Sequence, residues 1–150
     1  MLSSILFYSL DKAIRSYRRF AQANIDRAGI PITIDQWLVL RVILEHDDLT
    51  QLEIAERVFK DQASVARILA LLTQRGLLSA VPLPHDGRRT KLRVSEAGHQ
   101  ILEAVQPIVL SNRHQALSGL SDTDQALLRE LLDRISLNCA QPAANLLAQP

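Results

Sequence analysis

Between Asp61 and Gly76 the apolar residues of this chain recur at helical spacing, and from Lys91 to Val94 they alternate strictly with polar ones. The two periods are incompatible within one element, because 3.6 stacks side chains on a helix face and 2 alternates them across a strand. The chain must therefore leave a helix at Gly76 and be in a strand by Lys91. Gly76 followed by Leu77 is a helix stop with its hydrophobic follower. The apolar stretch Leu77 to Leu83 can pair with the strand, and His85-Asp86-Gly87-Arg88 supplies the turn. Pro82 and Pro84 are tolerable because a two-stranded ribbon is nearly all edge.

Helix punctuation surrounds that hairpin. Positions 6, 10, 13, 17, 20 and 24 (Leu, Leu, Ala, Tyr, Phe, Asn) alternate spacings of four and three, a seam suited to another helix. Gly29 and Pro31 end this first helix. Thr33 with Gln36 forms a capping box, and Ile32 can staple onto Trp37 to begin a second helix that lasts until His46. Thr50 with Glu53 opens a short third helix, ending near Phe59, with Leu49 and Ile54 as its staple. Asp61 caps the fourth helix. Ser95 caps a fifth, which Pro107 is predicted to kink or cut in two. Gly119 and Ser121 mark a stop and a start, and a last helix carries Leu127, Leu128, Leu131, Leu132 and Ile135. The predicted fold is mainly α with a small β-hairpin.

Aromatics are only 4% of the 150 residues, so the core is built from Leu, Ile, Val and Ala, which suits helices. The one cysteine, Cys139, excludes an internal disulfide and any multi-cysteine metal site. The apolar stretch Leu2 to Leu10 lacks the basic residues that precede an export signal and is too short to span a bilayer. A cytoplasmic setting without membrane contact is expected. His46, His85, His99 and His114 share no helical face with acids at ligand spacing, so no metal is expected. Without a nucleophile elbow, phosphate loop or carboxylate pair in an apolar pocket, neither an enzyme nor a cofactor is expected.

Net charge is only +1, but it is unevenly spread. From Arg67 to Arg93 six basic residues face one acid, whereas from Asp35 to Asp61 seven acids face three bases. A basic middle in a neutral chain is a local electrostatic footprint for nucleic acid. Helices three and four form a helix-turn-helix. On helix four, Val65, Ile68, Leu69 and Leu72 share the buried side. The opposite side holds Ala63, Ala66, Arg67, Ala70 and Gln74, with Gln62 and Ser64 at its margins. Small side chains permit close approach to a groove, and an alanine methyl can touch a thymine methyl. Good helix formers packed under another helix would read the same way, and the basic hairpin decides between the two. At its tip Asp86 can pair with Arg88 across the turn, Arg89 follows, and Lys91 and Arg93 share the solvent face of the strand. An arginine so placed can enter a narrow minor groove.

The run Leu49 to Glu56, the stretch Asp61 to Leu72, Arg75-Gly76-Leu77, Asp86-Gly87-Arg88 and Leu92-Arg93-Val94-Ser95-Glu96-Ala97-Gly98 together resemble the MarR family of bacterial regulators. That resemblance implies a winged helix-turn-helix over residues 33–98, dimerisation helices at 1–29 and 99–142, and a tail at 143–150. It implies a homodimeric transcription regulator, most often a repressor, bound to an inverted-repeat double-stranded operator and released by a small-molecule effector. By the same resemblance Gln62, Ala63, Ser64, Ala66 and Arg67 face bases or phosphates. Thr50, Gln51 and Lys60 touch the DNA backbone, and Arg88 reaches the minor groove. The family commonly has Ser or Thr where this chain has Ala66, and a basic residue where it has Ala80.

By the same resemblance an effector pocket lies between the first two helices and the fifth, where Tyr8, Tyr17 and Trp37 can line it, although plain core packing is the favoured reading, since Trp37 has its staple role and Tyr17 sits on the seam. Cys139 has no basic neighbour within three residues to stabilise a thiolate, so a structural role is expected of it. The alternatives to an effector-responsive repressor are a cysteine-based redox-responsive regulator and a winged-helix protein-interaction module.

Overall fold

The computed structural model describes residues 1–83 and 85–141, with the backbone alone at 86–89. It comprises two compact units, Met1–Arg113 and His114–Pro150. After a short 3-10 turn, Leu2–Ser4, the first unit contains α1 (Leu6–Arg27), α2 (Ile34–Glu45), α3 (Gln51–Val58), α4 (Gln62–Gln74), β1 (Leu78–Leu83), β2 (Asp86–Val94) and most of α5 (Glu96–Ala116). The second contains the end of α5 and α6 (Asp122–Cys139). Among the described residues no helix is long and apolar enough to cross a membrane.

Capping side chains set the helix starts. Thr33 and Gln36, Thr50 and Glu53, and Ser121 and Asp124 each form a reciprocal capping box. Helix α1 ends at a left-handed Gly29, with Gly29 N–H donating to Asp26 and Ile30 N–H to Ile25. Helix α4 ends identically at Gly76, through Gly76 to Thr73 and Leu77 to Leu72. Helix α3 uses the same double closure, Phe59 to Glu56 and Lys60 to Ala55, but its left-handed residue is Phe59, at φ 60°. No glycine marks that turn, and the Phe59 ring is 93% exposed.

Strands β1 and β2 pair antiparallel, Leu78 opposite Val94 through Pro82 opposite Thr90, with an irregularity before Leu83 meets Asp86. The ladder therefore runs further than the alternating residues indicate. Strand β2 begins at Asp86, so the reversal precedes three of the four residues expected to make it. Pro107 does not cut α5 in two. It and Glu103, whose carbonyl its ring deprives of a donor, are both exposed, so water can take the freed bond.

The core of the first unit joins α2, α3, α4, β1 and α5, with Val39, Leu40, Ile54, Val65, Leu72 and Val105 fully enclosed. The start of α5 is fastened to the end of α4. Ser95 Oγ donates to the Gly76 carbonyl at 2.5 Å and accepts from Gly98 N–H at 3.1 Å, while Ser95 N–H donates to the Leu77 carbonyl at 3.0 Å. Helix and strand approach so closely that a Cβ on Gly98 would stand 2.4 Å from the Leu77 carbonyl oxygen. That contact explains the glycine. Further along α5 the buried Asn112 accepts from Asn24 at 2.8 Å, giving α1 and α5 a polar tie inside the apolar packing.

One carboxylate links three segments. Asp35, in the first turn of α2, pairs with Arg18 of α1 and, at 3.0 Å, with Lys60 between α3 and α4. All three side chains are largely covered. Burial by itself would raise the Asp35 pKa, but hydrogen bonds from Lys60 and Arg18 and their charges outweigh it, holding the carboxyl below 3.8. In the second unit α6 has no fully buried residue, and Leu127, Leu128, Leu131 and Leu132 are all exposed.

Phe59→Gly should stabilise the protein by about 0.5–1 kcal/mol, because the left-handed strain is relieved and an exposed ring contributes little packing. Thermal denaturation checks this, and a loss of stability would show that the ring is held by contacts. For Asp35, a depressed folded-state pKa means stability that is present above 3.8 and lost as pH falls through the lower folded value. The melting temperatures of wild type and Asp35→Asn should accordingly differ at neutral pH and converge in acid below 3.8. A difference that persisted there would mean the charged pairs do not stabilise the fold.

Candidate nucleic-acid interface

Helices α3 and α4 are joined by Phe59, Lys60 and Asp61 alone, the short connection of a helix-turn-helix. Their starts lie side by side, since the exposed Gln51 side chain donates from Nε2 to the Gln62 carbonyl at 3.3 Å. Two helix N-termini thus open on one region, each capped by its own side chains. Thr50 lies at the first of these, its hydroxyl accepting from Glu53 N–H at 3.2 Å. At the second, Asp61 accepts from both the backbone N–H and the hydroxyl of Ser64, at 2.7 and 2.9 Å. Those hydrogen bonds hold the Asp61 carboxyl below the usual carboxylate range.

Helix α4 divides as its sequence predicts. Val65 and Leu72 are buried, Ile68 and Leu69 half-buried, while Gln62, Ala63, Ala66, Arg67 and Ala70 are exposed. Ser64 sits half-buried at the margin. Arg67 donates to the Ser64 hydroxyl at 3.2 Å, so its guanidinium is drawn toward the start of the helix. The outward face is consequently low along its middle, with Arg67 drawn toward Ser64 and Asp61 at its beginning, a shape that admits a groove wall and sets one guanidinium beside it.

Beyond Gly76 the hairpin extends from the end of α4. Ala80 and Arg93 are exposed on it. The side chains of Asp86, Arg88 and Arg89 lie outside the described residues, and with them the expected Asp86–Arg88 pair. Lys91, expected to face DNA, is instead mostly covered and pairs with Asp47 in the α2–α3 loop. The hydrogen bond and charge of Lys91 depress the Asp47 carboxyl. Lys60, the other lysine expected at the DNA backbone, is the one engaged by Asp35. Sequence spacing could not show either partner, since Asp47 and Asp35 are remote along the chain.

The three aromatic residues assigned to an effector pocket are not drawn to one place by α1. Tyr8 and Tyr17 are nine residues apart in an unbroken helix, which sets them on opposite faces. Trp37, on α2, has the Arg113 guanidinium over its ring at 5.9 Å. Its indole Nε1 is buried and has no hydrogen-bond partner. Cys139 is an exposed free thiol at the end of α6.

Residues 28–89 match the model of the MarR family. A probable transcriptional regulator from Pseudomonas aeruginosa superposes with a TM-score of 0.78 at 30% identity, over 90% of this chain and 99% of that one. Bordetella bronchiseptica BpsR, solved in a study of the regulation of its DNA binding by 6-hydroxynicotinic acid, gives 0.79 at 21% identity over 89% and 94%. The repressor IacR of Pseudomonas putida is 25% identical across 126 residues, 83% of this chain and 75% of its own. With a short helix-turn-helix, a hairpin at its end and these likenesses along most of its length, the chain belongs to the MarR family of DNA-binding transcriptional regulators.

Proposed function

We propose that the protein is a homodimeric repressor that binds an inverted-repeat operator and releases it when a small molecule binds. The exposed face of α4, small-sided and opening on Arg67, is the observation that carries the reading. Thr50 and Gln51 would meet phosphates, and Gln62, Ala63, Ser64, Ala66 and Arg67 would meet the major groove. Arg88 would reach the minor groove, with Asp86 and Arg89 beside it. Such a regulator would act in the cytoplasm, where bacterial DNA lies. IacR is described as a repressor, and the DNA binding of BpsR is regulated by a small aromatic acid. An effector is supported here by Trp37, whose buried Nε1 lacks an acceptor beneath a guanidinium. A weakly acidic aromatic molecule could satisfy both.

The dimer is supported by apolar surface. Leu2, Ile5, Leu6 and Phe7 are exposed at the start of the chain, and Leu127, Leu128, Leu131 and Leu132 on α6. Soluble monomers rarely leave apolar patches beyond a few hundred Å2 uncovered, and twofold symmetry is the commonest way to cover them.

Gel-shift titration at fixed salt tests the DNA contacts. Arg67→Ala should cost about 1–3 kcal/mol on the selected site and less on random DNA, as for a base contact. Arg88→Ala should weaken both by similar factors, because the minor groove is read mainly through charge and shape. An equal loss on both DNAs for Arg67→Ala would make it a phosphate clamp. Leu131→Glu, at an exposed position, should leave the protomer folded but shift light-scattering mass from dimer to monomer. Operator binding should fall with it, since two recognition helices about 10 base pairs apart share the site. A wild-type protein that is a stable monomer protecting one half-site would overturn this assembly.

A further inference from the structure

Lys60 occupies an unusual place for a charge. It lies in the turn between Val58 and Val65, both turned into the core, and its own side chain follows them inward until it is only 30% exposed. Its backbone N–H is spent on the Ala55 carbonyl at 3.0 Å, closing α3. A cation in this position needs a countercharge, because burying it unpaired is costly. Asp35 supplies one at 3.0 Å and in the same carboxylate also holds Arg18 of α1. The carboxylate sits in the first turn of α2, where the helix dipole favours it, and the Thr33 cap fixes that turn. Two cations thus converge on one anion anchored to the framework of the unit.

We propose that Asp35 is a positioning residue for DNA binding: by holding Lys60 it fixes the turn that starts the recognition helix α4, and by holding Arg18 it ties that turn to α1. Lys60 is then an internal strut and not a phosphate contact. Helix α4 begins at Gln62, two residues after Lys60, and the preceding Phe59 is a strained left-handed residue. To the backbone closure of that turn, the Asp61 cap and the Gln51–Gln62 bond, Lys60 adds the one described side-chain tie to α2. Removing the carboxylate leaves Arg18 and Lys60 facing each other as like charges, so the turn moves and α4 moves with it. The link also runs outward. Any displacement of α1, whether by a second protomer or by a bound molecule, is passed through one carboxylate to the start of the groove-facing helix.

The inference rests on the DNA-binding reading, and its test separates the two. The probes are a duplex selected by the wild-type protein from a random library and an unrelated duplex, each titrated over a range of salt. Lys60→Met keeps the length of the side chain and removes its charge. It should lower affinity for the selected duplex about tenfold while leaving the slope of log affinity against log salt unchanged, since no phosphate contact is lost. Asp35→Asn should cost at least as much, and the double variant should be no worse than the weaker-binding single one, because both remove the same link. A slope shallower by about 0.9 per protomer in Lys60→Met would identify a phosphate contact and overturn the proposal. So would Asp35→Asn binding as tightly as wild type or more tightly, the result expected if freed Lys60 reached DNA. Amide hydrogen exchange, which needs no DNA, should show faster opening at the start of α4 in Asp35→Asn, with the core of α2 unchanged; equal protection there also overturns it. If Asp35→Asn does not fold, the salt slope of Lys60→Met decides alone. Should the wild type select no duplex, the DNA-binding reading fails, whereas the exchange measurement still reports on the strut.

Discussion

The close contact between the start of α5 and the end of α4 organises the DNA-facing unit. Ser95 bonds to Gly76 and Gly98 together, and Gly98 approaches Leu77 within a distance that no side chain permits. Three elements turn within that space: α4 stops, β1 starts from it, and β2 returns to launch α5. A hairpin alone is marginal in water, so this ribbon owes its direction to the joint at its base. The same joint sets α5 against the core through Leu102, Val105 and Val109. Helix-turn-helix, hairpin and the long helix behind them are thereby one framework, and the glycine needed for it follows from backbone proximity.

Within that framework the cations assigned to DNA differ in what they meet. Lys60 and Lys91 are each turned onto an aspartate, whereas Arg67 remains exposed, donating to the Ser64 hydroxyl that itself donates to Asp61. A flexible ammonium makes a compact point charge suited to a single carboxylate, while a planar guanidinium presents five donors in a fork suited to bases and phosphates. The net charge of the basic stretch therefore overstates what DNA would meet. The acidic stretch before it is equally changed in meaning, because Asp35 and Asp47 are the counterions of those lysines and Asp61 is a helix cap.

What could be read from the sequence was what is decided locally. The boxes at Thr33 and Thr50, the cap at Asp61 and the stops at Gly29 and Gly76 depend on residues within one helical turn, and all stand as expected. The buried and open sides of α4 follow from its period alone. Phe59 was not legible as the left-handed residue of the turn, because the usual glycine is missing and only the backbone bonds disclose it. Pro107 does not interrupt α5, because the helix packs on both sides of it and Glu103, whose carbonyl loses its donor, is exposed to water. The partners of Lys60 and Lys91 are set by the tertiary fold, so neither the resemblance that assigned Lys60 to DNA nor the charge pattern around Lys91 could show their ion pairs. Tyr8 and Tyr17 were grouped through the family resemblance, and the continuity of α1 sets them on opposite faces.

Helix α1 shows how a single element can serve two surfaces. Ala21 and Ile25 are buried, and Arg18 is engaged by Asp35, so one side belongs to the DNA-facing unit. Leu6, Ile14 and Phe20 are exposed, Ile14 on the same stripe as Arg18, Ala21 and Ile25 but nearer the start of the helix, so part of the apolar surface of α1 is uncovered in a single copy. In the dimer proposed above, that exposed surface would be covered by protein, and α1 would then be held by both protomers. Its inner side is fastened by specific polar ties, Asn24 to Asn112 and Arg18 to Asp35, in addition to apolar contact. Apolar contact alone tolerates sliding, whereas a hydrogen bond or an ion pair fails once its geometry is lost. Movement imposed on the outer side would therefore reach the inner one as a choice between keeping and breaking named bonds. In such an arrangement the spacing of two recognition helices becomes sensitive to what covers α1, which is the physical requirement for a regulator whose grip on DNA can be released.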